Sequence, residues 1–108
     1  MLFRSDAPIP LAPPVAQVSA TVLDDYAGDY EWAPGLVATI ARKGQELEQR
    51  FGGDEPEHLL AENDTTFFTD DGGGVASRYI FVKDATSRVS HYIYREIGAT
   101  DRIVKKIR

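Results

Sequence analysis

Residues 77–97 read SRYIFVKDATSRVSHYIYREI, two apolar runs joined by a polar link. In SRYIFVK, Tyr79 and Phe81 lie on one side and Ile80 and Val82 on the other, the period of two that an extended strand imposes. In VSHYIYREI, Val89, His91 and Ile93 oppose Tyr92 and Tyr94. The link, Lys83-Asp84 through Ser87, holds residues whose side chains close turns on their own backbone. Two alternating runs so tightly joined predict an antiparallel hairpin.

Outward from this hairpin the same punctuation recurs. Turns are marked by Ala33-Pro34-Gly35, Lys43-Gly44, Gly52-Gly53-Asp54, Asn63-Asp64, Asp70 to Gly74, Lys83 to Ser87, and Gly98-Ala99-Thr100. They separate eight segments of about six to ten residues, the usual length of a strand. QELEQRF alternates in the same way, with Leu47, Gln49 and Phe51 opposing Glu46, Glu48 and Arg50. LVATIARKGQELEQRF invites a helix, but Lys43-Gly44 interrupts it and Val37, Thr39 and Ile40 favour strands. No segment shows a sustained 3.6-residue stripe. The expected fold is all-β, a small eight-stranded antiparallel up-and-down barrel that closes to remove its edges.

Eight strands enclose an interior that side chains can fill or that can hold one small ligand. From Leu23 onward the chain has ten aromatic residues, each burying up to roughly 150–250 Å². A mostly filled interior with at most a shallow cup at one end is expected. In LDDYAGDYEW, residues 23–32, an extended strand would put Tyr26, Gly28, Tyr30 and Trp32 on one inward face. Gly28, without a side chain, lets neighbouring rings or backbone close over the start of that strand.

The first 21 residues read as a disordered or extended linker preceding a barrel domain over 22–108, with Pro8, Pro10, Pro13 and Pro14 denying helix and ladder alike. No continuous apolar stretch follows Arg4, so it does not read as a signal peptide. Leu-Phe-Arg-Ser at positions 2–5 matches the translated end of a widely used sequencing adapter. Residues 1–5 are therefore suspected to be assembly scar on an environmental sequence, and the chain a C-terminal remnant of something longer.

With 108 residues, a net charge of −5 and scattered Lys and Arg, the chain lacks the clustered cations that a phosphate backbone requires. It has no apolar run long enough to span a membrane. Its lack of cysteine removes disulfides and thiolate chemistry.

Motifs with mechanical content are few. No serine has a lysine three residues on, and no G-x-S-x-G elbow occurs. His58 and His91 lack metal-ligand spacing, and the acidic residues between Asp54 and Asp71 read as solvated turns. Gly72-Gly73-Gly74 precedes a strand rather than a helix and reads as a hairpin loop. No catalytic residue, metal ligand or cofactor is assigned. His91 is read first as a wall histidine with local hydrogen bonds, and second as a cavity-lining group.

One order of motifs runs through the chain: Leu23-x-x-Tyr26-x-Gly28-x-Tyr30, then Lys43-Gly44 and Glu46-Leu47, then Glu57-His58-Leu59-Leu60-Ala61-Glu62 and Thr66-Phe67-Phe68. It closes with Tyr79-Ile80-Phe81-Val82-Lys83-Asp84 and Arg88-Val89. This pattern, over residues 23–108, resembles the lipocalin-like β-barrel domain of unknown function found C-terminal to serine β-lactamase-like (penicillin-binding-protein-like) hydrolases in bacteria. The family usually has a glycine in the turn that here reads DATSRV, and HYIYREI is more aromatic and charged than its counterpart.

The resemblance implies that a catalytic serine and lysine belong to an upstream hydrolase domain, the partner expected here. It implies a periplasmic or extracytoplasmic setting if the chain is part of such a hydrolase. The expected function is a non-catalytic accessory domain that packs against or gates that catalytic domain. The alternative is a lipocalin-like carrier of a small hydrophobic molecule, with a cup formed from Tyr30, Trp32, Tyr79, Phe81, His91 and Tyr94. A stand-alone enzyme comes third. Self-association stays open, since an unclosed barrel would offer edge strands.

Overall fold

A computed structural model describes residues 14–70, 72 and 74–108; of the linker expected over residues 1–21, residues 1–13 lie outside the described residues. The hairpin read from residues 77–97 is present as β6, Val75–Lys83, and β7, Val89–Glu96. Around it run α1, Ala20–Tyr26; β1, Gly28–Ala33; β2, Leu36–Lys43; β3, Glu46–Phe51; β4, Glu57–Ala61; β5, Thr66–Asp70; and β8, Arg102–Lys106. Every strand pairs antiparallel with the next, and β8 returns to β1 through Tyr30 opposite Lys106 and Glu31 opposite Lys105. The result is a closed eight-stranded up-and-down barrel with one short helix.

The alternation decides which side chains enter. Tyr30, Ala38, Ile40, Leu47, Leu59, Phe67, Tyr79, Phe81, Tyr92 and Val104 point inward and are buried. Tyr92 meets Tyr30, Tyr79 and Phe81 with ring centroids 4.9, 5.3 and 5.5 Å apart. These rings fill the middle of the barrel with each other.

Two local expectations are corrected. Tyr26 is not part of the first strand. It is the last residue of α1, whose cap Ser19 accepts a hydrogen bond from Val22 N–H at 3.3 Å. Seven residues are too few for a helical stripe to stand out in sequence, and so short a helix is marginal without tertiary packing. Leu23 and Tyr26 supply that packing as a plug across one end of the barrel. The Tyr26 ring stacks on Phe81 at 4.2 Å and 11°, and its hydroxyl donates to the Asp64 carbonyl in the β4–β5 turn. Arg42 and Lys83 pair with Asp24 and Asp25, tying α1 to the ends of β2 and β6. The chain before the helix packs at this end too: Ala16 N–H donates to the Ala61 carbonyl, and Val18 is buried.

The second correction concerns Val89. The register runs from Val82 opposite His91 to Lys83 opposite Val89, so Ser90 is an extra residue in β7. That bulge shifts the phase by one, placing Val89 against the core rather than with His91 and Ile93.

At the seam, Ile107 N–H donates to the Asp29 carbonyl, and Asp29 N–H to that of Arg108. The Asp29 carboxylate accepts from Thr39 Oγ1 at 2.8 Å and from Arg108 Nε at 2.9 Å. Those hydrogen bonds, Thr39 first, hold its carboxyl below the usual range.

Candidate functional site

The end opposite α1 is the candidate site. Inward positions at the ends of β1 and β3, toward the end of β7 and midway along β6 bring Trp32, Phe51, Tyr94 and Tyr79 together there. Trp32 meets Tyr94 at 4.9 Å and Phe51 at 5.5 Å, both edge to face, and Tyr79 meets Tyr94 at 5.2 Å. Trp32, Phe51 and Tyr94 are half-buried and form a rim; Tyr79 lies beneath them, buried. The Arg102 guanidinium sits 5.2 Å from the Trp32 ring centroid and donates to the Trp32 carbonyl at 2.9 Å.

Below the rim a polar chain runs through the aromatic wall. Trp32 Nε1–H donates to Tyr92 Oη at 2.6 Å, and Tyr92 O–H donates to Gln49 Oε1 at 2.7 Å. Gln49 Nε2–H donates to Tyr79 Oη at 3.3 Å, and Tyr79 O–H to Glu57 Oε1 at 3.4 Å. Each hydroxyl accepts once and donates once, so the chain has one direction, from the indole to an exposed carboxylate. That direction fixes which end of the Gln49 amide faces Tyr92. Alongside it, Thr69 and Ser77 bond hydroxyl to hydroxyl at 2.6 Å. The described residues contain no buried side-chain polar atom without a partner.

Burial pushes the phenols of Tyr79 and Tyr92 far up; the Glu57 charge adds to the rise at Tyr79, and the Trp32 hydrogen bond opposes it at Tyr92. Tyr94 is pushed up to about 12, by burial first and then by its 2.6 Å hydrogen bond to Glu96. All three are neutral donors over the physiological range. They can orient a polar group, but they do not supply a base.

Of the six residues expected to form a cup, the structure brings Trp32, Tyr79 and Tyr94 together at this end, puts Tyr30 and Phe81 in the core toward α1, and sets His91 outside. Tyr30 and Phe81 lie deep, 0% and 3% exposed, with rings against them, and Tyr30 O–H donates to the Tyr26 carbonyl at 2.7 Å. Tyr79 lies just beneath the rim, which Trp32 and Tyr94 form. His91 stands apart on the outer face, opposite Val82 and Lys105, with Nδ1 2.6 Å from Ser90 Oγ. Sequence reasoning left out Phe51, Gln49, Tyr92 and Arg102. Gln49 carried a legible signal, an amide on the same face as Leu47 and Phe51.

The other histidine, His58, faces Glu46 at 3.1 Å on the surface. No three His, Asp or Glu groups among the described residues converge in a way that could hold a metal ion. No protein-family model matches the chain, and no curated protein matches it.

Proposed function

We propose that the barrel is a non-catalytic accessory domain of a bacterial serine β-lactamase-like hydrolase, packing against the catalytic domain and restricting access to it. The motif order across residues 23–108 supports the family. One observation carries the docking role. Ile80, Ile93 and Ile103 stand side by side on the outer face of β6, β7 and β8, in register, and Ile103 is 63% exposed. The barrel's own core does not use this row. Polar groups flank it, Arg78 and Arg95 on one side and His91 and Lys105 on the other. An apolar strip with a polar rim suits the modest, fairly polar faces that domains of one chain share.

The test is to express the catalytic domain encoded with this chain in its source genome, then add the barrel. Association by sedimentation and altered hydrolysis of a bulky ester substrate are expected, both lost in Ile93→Glu/Ile103→Glu. No association and unchanged activity would remove the reading.

A second reading, a lipocalin-like binder of a small hydrophobic molecule, is favoured by the half-buried faces of Trp32, Phe51 and Tyr94 at the end away from α1. The deeper rings contact one another, so a ligand would sit at the rim. Trp32 is the sole tryptophan, which makes its emission a direct probe. Titration with a medium-chain alcohol should give a saturable shift in that emission. A linear response up to the solubility limit would exclude the carrier.

A further inference from the structure

At the α1 end a cleft of about 360 Å³ lies between the β6–β7 turn, the end of α1 and the chain leaving β8. Its lining includes Ser87, Arg88, Lys106 and Arg108, with Asp25 as the carboxylate among them. We infer that this cleft binds a small oxyanion, specifically the phosphate group of a small metabolite.

Among the described residues Arg88 and Lys106 line the cleft with no carboxylate partner, while Arg108 is paired with Asp29 at 2.6 Å; in a protein whose net charge is −5, the cleft runs against the field of the whole molecule. The neighbouring acids are engaged elsewhere. Asp25 is within 3.4 Å of Lys83 Nζ, Asp29 takes Thr39 and Arg108, and Asp84 accepts from Thr86 and the Arg88 N–H inside its own turn. Lys106 Nζ gives one hydrogen bond, to the Arg108 carbonyl at 2.8 Å, and an ammonium has three donors. The exposed Arg88 guanidinium has no ion-pair partner among the described residues. A guanidinium fork and an ammonium lining one cleft suit the several oxygens of a phosphate better than a lone carboxylate.

Ser87 is the second, independent observation. Among the described residues it is the only one other than glycine with positive φ, at 66°. Ser87 N–H donates to the Asp84 carbonyl and Asp84 N–H to that of Arg88, which makes a three-residue hairpin loop. In such a loop the left-handed position is ordinarily glycine's. Serine there carries conformational strain and presents a hydroxyl at the edge of the cleft. A hydroxyl beside Arg88, Lys106 and Arg108 completes a phosphate's donor set.

The test is a two-dimensional amide NMR titration of the chain with inorganic phosphate, ionic strength held constant with chloride. Saturable shifts at Ser87, Arg88, Ile107 and Arg108, with a Kd in the millimolar range or tighter, are expected. Arg88→Ala should weaken binding at least tenfold with dispersion unchanged, and Arg88→Gln should do the same while keeping most of the stem. Ser87→Gly should melt higher yet bind phosphate several-fold more weakly. Acetate should bind clearly less well. Shifts that stay linear, shifts equal at Arg42 and Arg95, unchanged affinity in either Arg88 variant or in Ser87→Gly, or acetate binding as tightly as phosphate would each overturn the assignment.

Discussion

Tyr30 shows how one side chain serves two levels of the structure. Its ring is fully buried among Phe81 and Tyr92, and its hydroxyl donates to the last residue of α1. Tyr30→Ala should therefore cost about 3–5 kcal/mol in urea melts, as buried aromatic deletions do. Tyr30→Phe keeps the ring and loses only the hydrogen bond, so about 1–2 kcal/mol is expected. A ratio near one between the two variants would show that the ring contributes little. Gly28 is the complementary case, needed for what it lacks. The sequence suggested rings or backbone closing over it; the structure puts the Arg108 carbonyl and the Lys106 side chain there, with φ at +148°. A Cβ would strike that carbonyl and meet Lys106 Cε at 2.8 Å, so Gly28→Ala should push β8 off β1. The expected loss is at least ~2 kcal/mol, with amide exchange rising first at Tyr30 and Lys106.

Among the elements, legibility follows how local the determining physics is. The seven turns were readable because Gly, Asn and Asp impose them through their own backbone and side chains, as Gly44 does with φ at 63°. Helix α1 was not, because tertiary contacts hold it more than its own sequence does. Leu23→Ala should then cost about 2–5 kcal/mol, while removing the cap with Ser19→Ala should cost about 1 kcal/mol. Equal losses in thermal or urea melts would contradict that account. The Ser90 bulge was equally hidden, since a one-residue phase shift shows only against the partner strand. It moved Val89 inward and left His91 outside. The candidate site was half legible for the same reason: alternation placed Trp32, Tyr79 and Tyr94 on inward faces, but the pairing of Gln49 with Tyr92 joins β3 to β7 across the barrel.

For the molecule as a whole, the tyrosines set an alkaline limit. All five phenols are raised above the ordinary value near 10, with burial the largest cause in each. Below pH 10 these groups are neutral both folded and unfolded, so the stability they contribute is fully present. Above it the unfolded chain sheds protons that the folded barrel keeps, and stability falls as pH rises. The urea midpoint should vary little with tyrosine ionisation between pH 7 and 9, then drop above about pH 10, with phenolate absorbance appearing together with unfolding. Gradual ionisation of several tyrosines near pH 10 in a still folded protein would contradict the packing described. The sequence by itself determined the strand number, their order and most inward faces, because turn chemistry and a period of two act between near neighbours. Only the tertiary structure decided in which register β8 meets β1 to close the barrel, that α1 plugs one end, which rings are core and which are rim, and that Ser87, Arg88, Lys106 and Arg108 share one cleft. Those outcomes depend on contacts between residues far apart in the chain, above all β8 returning to β1, and no local pattern encodes that register.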